Sequence, residues 1–171
     1  MLSVRPLATG GDRLKPLGER IVRGTLHRYW RLTRGLTLGA QGLVQDEAGR
    51  ILLVRHTYRP GWHFPGGGVD RRELVVDALK REIYEEVGLD VTAAPVLIGI
   101  FSNAAAFRGD HVLLYRVPGW QPLPAGEAPD ASREIAESGF FAVDALPPGL
   151  AAPAARRIAE LFHGAEVSPW W

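Results

Sequence analysis

The segment Gly67–Leu89, GGVDRRELVVDALKREIYEEVGL, most constrains what this chain can fold into. Val76, Leu79, Ile83 and Val87 recur at spacings of three and four, the apolar stripe of an α-helix with one buried face. No proline interrupts residues 73–87, and Gly88 stands where a helix commonly ends in a left-handed residue. At about 100° per residue, Glu82, Glu85 and Glu86 centre roughly a quarter turn from that stripe, at the edge of the core. Like charges three and four apart cost about 0.2–0.5 kcal/mol per pair. The negative end of the helix dipole adds to that cost. A solvated acidic face explains most such runs, and Asp77–Arg81 and Arg81–Glu85 pairing would partly support it. A hard divalent cation explains the run better, because carboxylate oxygens bind it while leaving room for water and phosphate. Just before the helix, Gly66-Gly67-Gly68 lets the backbone approach a ligand closely.

The same residues carry a family pattern. Gly67, Glu73, Arg81, Glu82, Ile83, Glu85, Glu86, Gly88 and Leu89 fill every specified position of Gly-x5-Glu-x7-Arg-Glu-U-x-Glu-Glu-x-Gly-U, where U is a bulky aliphatic residue. A chance match has a probability on the order of 10⁻⁹ per starting position. In this the chain resembles the Nudix hydrolases. The family often carries Pro-Gly or Lys-Gly before the first glutamate, where this chain has Arg71-Arg72. The resemblance implies an α/β/α sandwich built on a mixed β-sheet, and a metal-dependent hydrolase of diphosphate linkages. It makes Glu82, Glu85 and Glu86 ligands of Mg²⁺ or Mn²⁺, with the Gly67 carbonyl as a further ligand. Glu82 and Glu86 would serve catalysis with Arg81, which orients the glutamates, and Glu73 and Gly88 would brace the site. For the general base it offers either a box glutamate or an acid on a loop near the last strand. Glu134 is the first candidate there and Glu137 the second.

Composition limits the alternatives. With 171 residues, 46% hydrophobic and 23% charged, the chain suits a soluble globular protein. A net charge of +1 predicts no strong overall field. The absence of cysteine removes disulfides, thiolate metal sites and cysteine nucleophiles. It also argues against the cysteine-using isopentenyl diphosphate isomerases of the same fold. No apolar run reaches membrane-spanning length and the opening residues lack a signal-peptide core, so a cytoplasmic enzyme without a membrane partner is expected.

Along the chain, residues 1–34 read as an irregular lead-in followed by a basic amphipathic helix from Pro16 to Arg34, packed on a domain formed by residues 35–171. Strands are expected over 36–45 and 50–58, joined through the hairpin signal Asp46-Glu47-Ala48-Gly49. Further strands are expected at 62–64, 91–102, 111–117 and 138–143. A long loop is expected from Trp120 to Ser132, and a closing helix at 153–163. The order suits an α/β fold with helices on both faces of a mixed sheet, a single domain with an N-terminal helical extension.

For substrate, Arg55, His56, Tyr58 and Arg59 lie on the strand and turn leading to the box. Arg55 offers a bidentate fork for phosphate, and Tyr58 or Phe107 a face for a nucleobase. Each also has an ordinary surface or packing role open to it. His27, His63, His111 and His163 form no metal-ligand spacing and read as packing or surface residues. Asn103–Asp110 lacks the proline of ADP-ribose hydrolases and the tyrosine of dinucleoside polyphosphate hydrolases, and the SQPWPFPxS pattern of NADH-type enzymes is also absent. The expected partner is a small nucleotide-type substrate. A nucleotide sensor without turnover and an RNA 5′-end pyrophosphohydrolase stand as alternatives. The latter would use the basic helix, though near-neutral net charge disfavours nucleic acid. A homodimer is among the oligomeric states left open, and Trp170-Trp171 could pack on the body or on a partner.

Overall fold

Two glycine-punctuated strands set the frame of the computed structural model, which describes residues 35–124 and 134–171. β1 (Thr37–Val44) lies antiparallel to β4 (Gly66–Gly68) on one side and parallel to β7 (Asp110–Val117) on the other. β6 (Val96–Ser102) completes this sheet, antiparallel to β7, in the order β4-β1-β7-β6. A second, antiparallel sheet has the order β3-β2-β9, with β2 at Ile51–His56, β3 at Trp62–His63 and β9 at Ile135–Phe141. β5 (Leu89–Asp90) and β8 (Gln121–Pro122) pair separately. The helices are α1 (Val75–Val87) and α2 (Ala152–Phe162).

Strand alternation distributes the core over two clusters. Ala40 and Val44 of β1 join Leu113 and Tyr115 of β7 beneath Leu79 and Ile83 of α1. Leu43 and Leu114 face the other way, against Ile51 and Leu53 of β2 and Ala154 and Ile158 of α2. The mixed sheet is thus covered by α1 on one face and by the second sheet with α2 on the other. Gly42 admits this packing, since a Cβ there would lie 3.0 Å from the Ile83 side chain. Leu36–Trp171 forms one compact unit. Among the described residues no helix is long and apolar enough to cross a membrane.

Several expected boundaries shift for identifiable reasons. The turn at Asp46–Gly49 forms, with Asp46 accepting from the amides of Ala48 (3.1 Å) and Arg50 (2.8 Å). The strands it joins share only the bridge Gln45–Ile51 before diverging into different sheets, so the hairpin expected there is not one ladder. β6 starts at Val96 rather than residue 91, after Pro95, which has no amide to donate. β9 starts three residues before Ser138, because its pairing with β2 extends to His56–Ile135. α1 starts at Val75, leaving Glu73 in the loop. The expected helix over 16–34 and most of the loop over 120–132 lie outside the described residues.

Candidate active site

Gly88 closes α1 in the left-handed conformation (φ 65°), its amide donating to Tyr84 O at 3.0 Å. That stop fixes the last two turns of the helix, and with them the three glutamates, which fall into different environments. Glu85 remains half exposed (50%). Glu82 is mostly covered, and Glu86 is only 8% exposed. The edge-of-core position expected for all three therefore describes Glu82 best.

Arg81 ties the site together. Its Nε and Nη2 donate to the two Glu73 oxygens at 2.9 and 3.1 Å, a bidentate pair. Nη1 donates to Glu82 at 2.7 Å and Glu85 at 3.3 Å, and Nη2 also to Gly68 O at 3.1 Å. With its donors spent on these groups, the expected ion pair to Asp77 is not formed. Glu73 also accepts from the Asp70 amide at 2.9 Å, so it fastens the loop to the middle of α1. The hydrogen bond from Arg81 holds the Glu73 carboxyl below the usual range. In the same loop Arg72 adopts φ 68°, the left-handed region, at the position where the family pattern often has glycine.

Burial dominates at Glu86. Desolvation pushes its carboxyl up to about 8. The Gly66 amide donating to Oε2 at 2.8 Å opposes that rise, while the charges of Glu82 and Glu134 add to it. His56 Nε2 lies 3.5 Å from Glu86 Oε1, yet this is no ion pair at neutral pH. Desolvation, helped by Arg59 and His63, lowers His56 to about 4. Arg59 Nη2 donates to Nε2 at 2.6 Å, which puts the ring proton on Nδ1, and Nδ1 has no partner. Glu82 is also raised, first by burial, against the hydrogen bond from Arg81.

β4 brings the glycines over these acids. A Cβ on Gly67 would meet the Glu82 carboxylate at 2.5 Å, so only glycine leaves that approach open. Gly66 has φ 132°, and a Cβ there would overlap the Ala40 carbonyl across the ladder. A cleft of ≈ 540 Å³ runs from Gly67 past Tyr58, Arg59, Phe107, Gln41 and Trp171. A larger hollow of ≈ 720 Å³ near Trp120 lies beside the Asp46–Gly49 turn and touches no residue of the box, whereas the smaller cleft is bordered by Gly66–Gly68, against which Glu82 and Glu86 lie.

The structure therefore brings Glu82, Glu85, Glu86, Arg81, Glu73 and Gly67 together, and sets Tyr58 and Phe107 in the adjoining cleft. Glu134 is near enough to Glu82 and Glu86 to raise both carboxyls, and its carbonyl accepts from the Thr57 amide at 2.8 Å. Arg55 lies apart from the cleft, ion-paired with Glu137 across the β2–β9 ladder and 5.9 Å over the Trp62 ring. Arg59 lines the cleft in its stead. Sequence reasoning missed Gln41 and left Trp171 unassigned. A polar residue inside the aliphatic run of β1 was the available signal for Gln41; Trp171 reaches the cleft only through tertiary contacts.

Among the described residues, no three acid or histidine side chains converge to enclose a metal ion. Glu82 and Glu85 lean to Arg81 and Glu86 to Gly66 instead. The donor set is nevertheless all oxygen and partly desolvated. That suits Mg²⁺, which binds through one or two carboxylates plus substrate phosphate and water rather than a full protein cage.

A mixed sheet between helical layers, with clustered acids on a helix facing a glycine strand, defines an α/β class suited to phosphate chemistry. The Nudix domain model matches residues 35–162, and the chain belongs to this family. An RNA pyrophosphohydrolase of Pseudomonas aeruginosa is 38% identical over 76 residues, 44% of this chain and 42% of that protein. A Bacillus subtilis protein provisionally named 8-oxo-dGTP diphosphatase is 34% identical over 90 residues, 53% of this chain and 60% of its own. The chain thus spans less than two thirds of either relative. A crystal structure of a MutT Nudix hydrolase from Burkholderia pseudomallei superposes with a TM-score of 0.62 at 26% identity, covering 74% of this chain and 98% of that one.

Proposed function

We propose that the protein is a divalent-cation-dependent pyrophosphohydrolase that cleaves the diphosphate linkage of a nucleotide or nucleotide derivative. The observation that carries this reading is Glu86. Its carboxyl is only 8% exposed, accepts from the Gly66 amide at 2.8 Å and lies beside Glu82 and Glu134, and among the described residues no Lys or Arg forms an ion pair with it, so burial raises its pKa. Such a group is costly to a fold unless a cation joins it. Glu82, Glu85, Glu86 and the Gly67 carbonyl would hold Mg²⁺ or Mn²⁺. Bound there, the cation would offset phosphate charge and lower the pKa of a coordinated water.

The chain's own groups have separable roles in this reading. Arg81 keeps Glu82 and Glu85 oriented through one guanidinium, and Glu73 holds Arg81 from the opposite side. Glu134, beside the acids and on the solvent side, accepts the proton of the attacking water. Arg59 meets phosphate oxygens, and Tyr58 and Phe107 border the remainder of the substrate. The test is release of phosphate, pyrophosphate or nucleoside monophosphate from a nucleotide panel with Mg²⁺. Glu86→Gln and Glu85→Gln should each lower kcat by about 10²-fold or more while circular dichroism and melting stay native-like. Unchanged turnover in both folded variants would reject the roles.

The match to RNA pyrophosphohydrolases favours a second reading, in which the diphosphate lies at an RNA 5′ end. A 5′-triphosphorylated oligonucleotide cleaved with higher kcat/KM than every free nucleotide, and with steep salt dependence, would support it.

A further inference from the structure

The cleft continues a core-facing row of β1. Thr37, Gly39, Gln41 and Leu43 share one side of the strand by alternation. Leu43 is fully buried in the second cluster, whereas Gly39 and Gln41 line the cleft. Gln41 thus places an amide where the pattern calls for an aliphatic residue. It is only 7% exposed, and its Oε1 is shielded from solvent with no donor. A buried acceptor without a partner is destabilising, and an apolar side chain there would avoid the penalty.

Asp110 and Asn103, which also line this end of the cleft, are already engaged, whereas Arg59 Nε, toward the glycine strand, is a buried donor without an acceptor. Asp110 accepts from Thr37 Oγ1 at 2.6 Å and from Asn103 Nδ2 at 2.8 Å. Three aromatic side chains stand among the walls. Phe107 and Tyr58 are largely exposed, and Trp171 is fixed by its amide donating to Ser102 O at 2.8 Å and by its ring 5.8 Å from Phe101. Aromatic walls around one unpaired buried acceptor suit a planar heterocycle with an N–H on its edge.

We propose that Gln41 is the specificity-determining residue for the base. Its Oε1 accepts from a nucleobase N–H while the ring lies among Phe107, Tyr58 and Trp171 and the phosphates run toward Gly67. The substrate class is therefore nucleotides whose base edge carries an N–H donor. This rests on the pyrophosphohydrolase reading for its catalytic arm only.

Purine riboside 5′-triphosphate is the discriminating probe, since its base has no N–H. Wild-type protein should favour ATP or GTP over it by about tenfold or more in kcat/KM, expressed chiefly in KM, because a hydrogen bond to a buried group carries that discrimination. In Gln41→Leu and Gln41→Met the ratio should fall toward one. Two apolar variants of different shape, with melting curves taken for each, separate lost recognition from lost folding. Calorimetric binding of the same nucleotides, with and without Mg²⁺, forms a second arm independent of turnover. If wild type hydrolyses nothing yet binds ATP or GTP over the riboside through Gln41, the base reading stands and the hydrolase reading fails. A wild type that treats the riboside as it treats ATP and GTP, or a preference unchanged in both folded variants, overturns the proposal.

Discussion

At the scale of single residues, two groups hold conformations or charge states that their chemistry resists. Arg72 sits at φ 68°, where a Cβ crowds the backbone. Arg72→Gly should therefore stabilise the protein by about 1 kcal/mol, raising Tm by roughly 2–4 °C for a chain of this size, as a calorimetric scan would show. No change in Tm would mean that the side chain recovers the strain through contacts. Glu86 carries the opposite kind of tension. Its folded-state pKa of about 8 lies above the unfolded value of 4.5, so the folded protein retains a proton that the unfolded chain releases. The contribution is full below pH 4.5 and is lost as pH rises through about 8. His56, lowered to about 4, acts in the other direction, its contribution lost as pH falls below 6.5. Above pH 6.5 the His56 contribution is constant, and comparison with Glu86→Gln separates Glu86 from Glu82, whose carboxyl burial also raises. With chelator present, wild-type Tm should fall from pH 6.5 to about 8.5 more steeply than that of Glu86→Gln. Parallel profiles would show that Glu86 is ionised throughout.

At the scale of elements, the segment after α2 is held by a buried arginine. Arg157 is 1% exposed, donates to Glu160 at 2.6 Å, Ser168 O at 3.2 Å and Trp170 O at 3.1 Å, and lies 3.8 Å over the Phe101 ring. Ser102 on the edge strand β6 then donates to Pro169 O and accepts from Trp171 N. The edge of the mixed sheet is covered in this way, and the strap brings Trp171 to the cleft. Arg157→Ala leaves the buried Glu160 carboxylate with the Ser168 amide but no cation, and removes the Arg157 donor from the Ser168 and Trp170 carbonyls, which predicts a loss of about 3–5 kcal/mol in urea unfolding. Glu160→Gln, which keeps a polar partner, should cost less. A loss below 1 kcal/mol for Arg157→Ala would show that water replaces the clamp. Nothing in the residues around Arg156-Arg157 announces this arrangement, because its partners are fixed only once α2 has docked.

For the whole molecule, legibility in the sequence follows the range of the interaction. The stripe Val76–Leu79–Ile83–Val87 and the stop at Gly88 act within a few residues, and α1 forms where they indicate. The divergence of β1 and β2 into separate sheets depends on partners 70 or more residues away, such as Leu113 opposite Ala40 and Glu137 opposite Arg55. The hairpin signal could not convey it. The same holds within the site: the acids are written into one helix, whereas the neutral His56 behind Glu86 and the unpaired amide of Gln41 arise where separate strands meet. This long-range burial has a global consequence for cation uptake. A cation binds the ionised carboxylate, while at neutral pH Glu86 holds its proton, so uptake must release it. In calorimetric titrations with Mg²⁺ or Mn²⁺ at pH 7, the observed heat should vary with buffer ionisation enthalpy, with a slope near one released proton. Affinity should rise about tenfold per pH unit up to about 8 and level off above it. Glu86→Gln should bind more weakly and lose both dependences. Uptake by wild type that is independent of buffer and of pH between 6 and 8 would place the cation away from Glu86, and the proposed ligand set would have to be redrawn around Glu82 and Glu85.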